Sequence, residues 1–305
     1  MILSRFMTPE TQAALQSWST PIGVDASLCI AAMVYANGWN RLRTIFARQF
    51  TLWRLAAFLA GVAAVWIAIG SRLEALDDAS LTVHMVQHLL LGAVAPPLIL
   101  LGAPALPLVR GLPQSVARNV VSPFVRLPLV KRFGRLVSNP AICWIVATLA
   151  LVGWHVPSLF ELALRWDWLH KLEHASFFGA GLMFWWPVVQ PWPSTPKWPR
   201  WAIPLYLFCA TMPCDALSGF LTFCDRVIYP TYVSAPRLFG LSPLEDQQCA
   251  AALMWVSVTL IFLVPAVLVT LEILSPGSAD LPEDPWAEWR RLIAKTPHPS
   301  KPEVI

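Results

Sequence analysis

Two pairs of histidines stand four residues apart: His84 and His88 in the run HMVQH, and His170 and His174 in the run HKLEH. A fifth, His155, lies two residues before Pro157. In a helix, positions i and i+4 share one face, one turn apart. Neutral imidazole suits copper, zinc and iron. Rings from three helices at one depth can therefore form a transition-metal site. Met85, Met212 and Met254 could add soft thioether ligands favouring Cu(I), although methionine more often packs than ligates. Asp25, Glu173, Asp215, Asp246 and Gln247 are candidates for orienting the imidazoles from behind. For Asp25 and Asp215 a structural hydrogen bond serves equally well. A single HxxxH at a wet helix end means little; two pairs and a fifth ring on one side of a bundle mean more. No catalytic residues are assigned, and the chain reads as a non-enzyme.

The elements that must hold these residues are membrane helices. Hydrophobic residues make up 56% of the 305, charged residues 13%, and the mean hydropathy is +0.57. A soluble domain carries roughly 25% charged residues, so much of this surface must face lipid. A span needs roughly 20 apolar residues. Seven runs qualify: Ile22–Trp39, Leu52–Gly70, Leu81–Leu101, Ala141–His155, Trp168–Val189, Trp201–Phe223 and Cys249–Ile273. The reading is an all-α bundle of about seven transmembrane helices, with tryptophans near the span ends, as at a headgroup belt. Pro96 and Pro97 should kink or break the third span.

Charge orients the bundle. Of the 22 lysines and arginines, sixteen fall in the first, third and fifth loops and the C-terminal tail. Six fall on the other side. The positive-inside rule then places the N-terminus outside and the C-terminus in the cytoplasm. It puts all five histidines at the outer end, together with Asp25, Asp215, Asp246, Gln247 and Gln248. The net charge of +4, without a basic tract, argues against nucleic-acid binding.

Residues 1–21 read as an extracytoplasmic segment without the apolar core of a cleavable signal, and 22–273 as the membrane domain. Residues 274–305 read as a flexible cytoplasmic tail, with a short helix around Trp286–Ile293. None of the six cysteines forms a CxxC pair, and no disulfide framework is expected.

Three stretches resemble the CtaG-type cytochrome c oxidase assembly factors, a bacterial multi-span family tied to caa-type oxidases. They are His84–Pro104 (HMVQHLLLGAVAPPLILLGAP), Trp154–Pro187, and Gly219–Trp255 with LTFCDRVIYPTY and EDQQCAAALMW. The resemblance covers most of Ile22–Ile273. It departs after Gln248, where Cys249, Ala250, Ala251 and Ala252 replace the family's Ala-Gly-Leu. It implies a multi-pass protein of the bacterial inner membrane that helps mature a haem–copper oxidase. Its partners would be oxidase subunits and lipid, with a copper ion as its metal. Haem binding through two histidines, a histidine-box metalloenzyme, and transport of copper or a small solute are the alternative readings.

Overall fold

Inside a bilayer the backbone must satisfy its own hydrogen bonds, so long apolar runs fold as helices. The computed structural model describes residues 21–137, 139–191, 198–237 and 240–275, and every regular element among them is helical. Helix α1 spans Ile22–Arg43, α2 Leu52–Ile69 and α3 Leu81–Leu101. Then come α4 (Ala105–Gly111), short turns between 114 and 126, and α5 (Pro128–Val137). Helices α6 (Pro140–Trp154) and α7 (Pro157–Arg165) follow, then α8 (Asp167–Val189), α9 (Ala202–Phe223) and α10 (Pro243–Leu274). The N-terminal segment before residue 21 and the tail helix expected around Trp286–Ile293 lie outside the described residues.

Five helices (α1, α2, α3, α9 and α10) are each long and apolar enough to cross a membrane, and α6 with α7, bent by 75°, makes a sixth candidate. The protein is thus a multi-pass membrane protein. Helix α8 has 23 residues, about 34 Å at 1.5 Å per residue, which is also long enough. Its first turns hold Asp167, His170, Lys171, Glu173 and His174, and these lower its apolar character. The last helix begins at Pro243 rather than Cys249 and runs 32 residues. Outward on it, Val256, Leu260, Val264 and Leu268 are more than half exposed, as a lipid-facing stripe requires.

Helix α3 is the pillar of the bundle: 56% of its apolar window is buried, against 17–28% for the other candidate spans. It packs on α2, α8 and α10, while α9 packs on α10 and α6 on α8. Its two prolines do not break it. A proline clashes with the carbonyl four residues back, here Gly92 and Ala93. The chain widens into a π turn over Leu90–Val94 and resumes as α-helix at Ala95. Pro96 is buried, so this segment packs on protein. The π turn meets α8 at Gly181, where a Cβ would come within 2.6 Å of the Gly92 carbonyl oxygen. Only glycine lets the two backbones approach so closely. Gly38 does the same for α1 on α4, its absent Cβ lying 1.8 Å from the Pro107 oxygen.

Candidate metal centre

The polar residues on α3 and α8 need those helices to begin at fixed points. Helix α3 starts at Ser80, whose hydroxyl accepts from the Val83 amide. The carboxylate of Asp246, from the first turn of α10, accepts from the Leu81 amide at 2.7 Å and the Thr82 amide at 3.3 Å. It also accepts from the hydroxyls of Ser80 and Thr82 at 2.9 and 2.6 Å. A carboxylate at a helix N-terminus satisfies unpaired N–H groups and complements the helix dipole. Gln87 donates to the Ala68 carbonyl at 2.9 Å and ties α3 to α2. On the other side, the Trp154 indole donates to Ser176, and Ser176 donates to the Glu173 carbonyl, joining α6 to α8.

Held this way, α3 and α8 turn their histidine faces toward each other. Ring centroids lie 4.3 Å apart for His84–His88, 5.3 Å for His84–His170 and 6.1 Å for His84–His174. They lie 5.7 Å apart for His88–His174 and 4.3 Å for His170–His174. His155, capping the C-terminus of α6, joins from the third helix at 6.3 Å from His88. Phe177 stacks on His88 and Phe160 meets His84 edge-on, so the cluster is walled by apolar rings.

Glu173 sits among the imidazoles, fully buried, its Oε1 3.5 Å from His88 Nε2 and 3.8 Å from His84 Nε2. Both of its oxygens lack a hydrogen-bond partner, as do both nitrogens of His84 and His88 and the Nε2 atoms of His155, His170 and His174. Buried polar groups are nearly always paired, and an unpaired buried carboxylate is costly. So many orphaned lone pairs facing one another fit a cation. The tautomer of His155 is set: its Nδ1 lies 2.7 Å from the Leu151 carbonyl oxygen. A carbonyl can only accept, so Nδ1 carries the proton and Nε2 presents its lone pair. Metal-bound histidines show this arrangement.

Asp77, in the turn before α3, is a member of the site that sequence reading missed. It is 2% exposed, and its Oδ2 stands 3.6 Å from His170 Nε2. Burial pushes its carboxyl up to about 8, with the neighbouring Asp78 adding to the rise. Glu74 in the same loop is pushed up to about 7, chiefly by burial. The signal for it in the sequence is the acidic run Glu74, Asp77 and Asp78 a few residues before HMVQH. Tyr232 donates to the Asp77 carbonyl and Tyr229 to the His155 carbonyl, both at 3.1 Å. The loop between α9 and α10 thereby closes over the site.

Among the described residues, two groups could hold a metal ion, each with its ligand atoms within 4.8 Å of one another: Asp77, His84 and His170, and His84, His88 and Glu173. Other residues marked in the sequence are placed elsewhere. Asp246 and Gln247 are engaged away from the imidazoles, Asp246 on the start of α3. Gln247 accepts from the Ile228 amide and donates to the Leu221 and Arg226 carbonyls, which holds the loop after α9. Asp25 accepts from the Trp66 indole at 2.9 Å and pins α1 to α2. Asp215 is half-buried on α9 with one oxygen unpartnered, and it belongs to neither ligand group. Met212 is 47% exposed on the outer face of α9. Met85 and Met254 are buried and, with His88, His155 and Cys214, line a cavity of about 110 Å³ among α3, α6, α8, α9 and α10.

The chain is similar to uncharacterized proteins of Mycobacterium bovis and Mycobacterium tuberculosis. Each is 27% identical over 258 residues, covering 81% of this chain and 38% of the relative. A Mycobacterium leprae protein is 24% identical, over 78% of this chain and 36% of the relative. The chain thus spans less than two fifths of the length of these relatives. No solved structure matches it. The family model of the cytochrome c oxidase caa3 assembly factors matches residues 33–275, a stretch that holds all five histidines, Asp77 and Glu173, and the protein belongs to that family.

Proposed function

We propose that this protein serves oxidase assembly by binding copper in the histidine cluster and passing it to a subunit of the haem–copper oxidase. The observation that carries the reading is the set of buried, unpartnered ring nitrogens from α3, α6 and α8 around the buried Glu173 carboxylate. Imidazole with carboxylate suits Cu(II) and Zn(II); family membership selects copper, because a haem–copper oxidase consumes it. In this reading copper is cargo. His155 offers a fixed lone pair, Glu173 supplies the compensating negative charge, and the aromatic walls exclude water. The rings pack against one another at 4.3–6.3 Å, which favours a single ion over a haem macrocycle between two of them.

The same reading takes α8 as a further span, giving seven. It places the cluster at the outer face of the bacterial inner membrane, the N-terminus outside and the C-terminus in the cytoplasm. A reporter fused after Ile305 should then be active only in the cytoplasm; periplasmic activity would reverse the orientation. The decisive experiment compares copper in purified wild type with that in the His84→Ala/His88→Ala variant and measures oxidase activity at limiting copper. Copper-loaded wild type, copper-free variant and low oxidase activity support delivery. Full oxidase activity in the variant would leave a scaffold role alone.

A further inference from the structure

The two ligand groups overlap at a single residue. Asp77, His84 and His170 form one; His84, His88 and Glu173 form the other. They differ in access. The His170 side chain is 17% exposed, whereas those of His84 and Glu173 are fully buried and that of His88 is 5% exposed. Ligands about 2 Å from an ion stand no more than about 4 Å apart. The contacts from Asp77 to His170 and from Glu173 to both His84 and His88 already meet that limit, at 3.6, 3.8 and 3.5 Å. Each group has one carboxylate and two imidazoles, so neither is the weaker set by ligand type.

His84 decides how the groups relate. Both its nitrogens are buried and without hydrogen-bond partners, but a neutral imidazole has only one lone pair. It can complete one group at a time. We infer that the groups are successive positions for one ion: an outer one at Asp77 and His170 that receives it from water, and an inner one at His88 and Glu173 that retains it. His84 is the shared ligand across which the ion passes. Asp77 and His170 then govern how fast the protein loads, and His88 and Glu173 how firmly it holds. His174 lies 4.3 Å from His170 and 5.7 Å from His88 between ring centroids, beside both positions. This inference rests on the metal-binding reading proposed above.

The test uses the purified full chain with Cu(II) chloride as probe. Loading is followed by rapid-mixing absorbance, the end state by electron paramagnetic resonance and copper content. Wild type should bind one equivalent. The Asp77→Asn/His170→Ala variant should reach the same copper content and spectrum at least tenfold more slowly, and Asp77→Glu should load faster than Asp77→Asn. The His88→Ala/Glu173→Gln variant should lose its copper to a chelator at least tenfold faster than wild type. Should that variant not fold, the loading rates decide alone. Unchanged loading in the outer variant overturns the inference, as does loss of all copper from it or two equivalents bound by wild type; each of these leaves the metal-binding reading standing. Wild type that binds no copper overturns both.

Discussion

Two buried polar clusters lie at the same end of this bundle. In one, Asp246 and Gln247 spend every side-chain polar atom on a protein partner: four donors converge on Asp246, and one donor and two carbonyls on Gln247. In the other, the histidines, Glu173 and Asp77 leave ten buried nitrogens and oxygens unmatched. The first cluster is saturated and belongs to the architecture. The second is unsaturated, and its free lone pairs converge, which is how a binding site differs from a structural network. Burial and polarity are shared; satisfaction separates them.

The largest expected effect falls on the unsaturated cluster. Replacing His84, His88, His170 and His174 together by alanine should abolish bound copper and oxidase maturation while membrane abundance stays normal. Insertion is driven by apolar length, which alanine preserves. Quantitative immunoblotting, metal analysis and oxidase assay read the three quantities. A fall in abundance matching the fall in activity would mean that the histidines are structural after all.

Asp246→Ala should do the opposite. It strands the Leu81 and Thr82 amides and two hydroxyls at the start of α3. An unsatisfied buried donor costs about 1–3 kcal/mol, so a loss of about 3 kcal/mol in stability is expected, read by thermal unfolding in detergent. Copper per folded molecule should stay within about threefold of wild type. Stoichiometric copper loss in well-folded Asp246→Ala protein would show that the two clusters are not separable.

Glu173→Gln is the sharper, smaller probe. Copper affinity should fall about tenfold, the usual effect of losing a ligand or its partner. The metal-free protein should be no less stable, because the replaced carboxyl has no hydrogen-bond partner to lose. A melting temperature that drops in the metal-free variant would instead assign Glu173 to the architecture. Smallest of all is Met212→Leu, which should leave copper content, stability and oxidase activity unchanged, since that side chain lies on the exposed face of α9. Altered copper content in this variant would reopen a thioether role.

Local chemistry made much of this legible in the sequence. Apolar length marked the helices, because a span is defined by residues contiguous in the chain. Spacing i, i+4 put His84 with His88 and His170 with His174, because helical periodicity is local. What lay beyond sequence reading was the partner of each polar atom. Asp246 and Glu173 are both acids near a helix start; only packing made one the cap of α3 and the other the centre of the imidazole cluster. Asp77 sat in a charged loop until the turn folded it against His170. The double proline read as a kink or break, yet Gly181 on a distant helix leaves room for the π turn that accommodates it. Length and periodicity depend on near neighbours in the chain, whereas hydrogen-bond satisfaction and close backbone approach depend on residues that only the fold brings together.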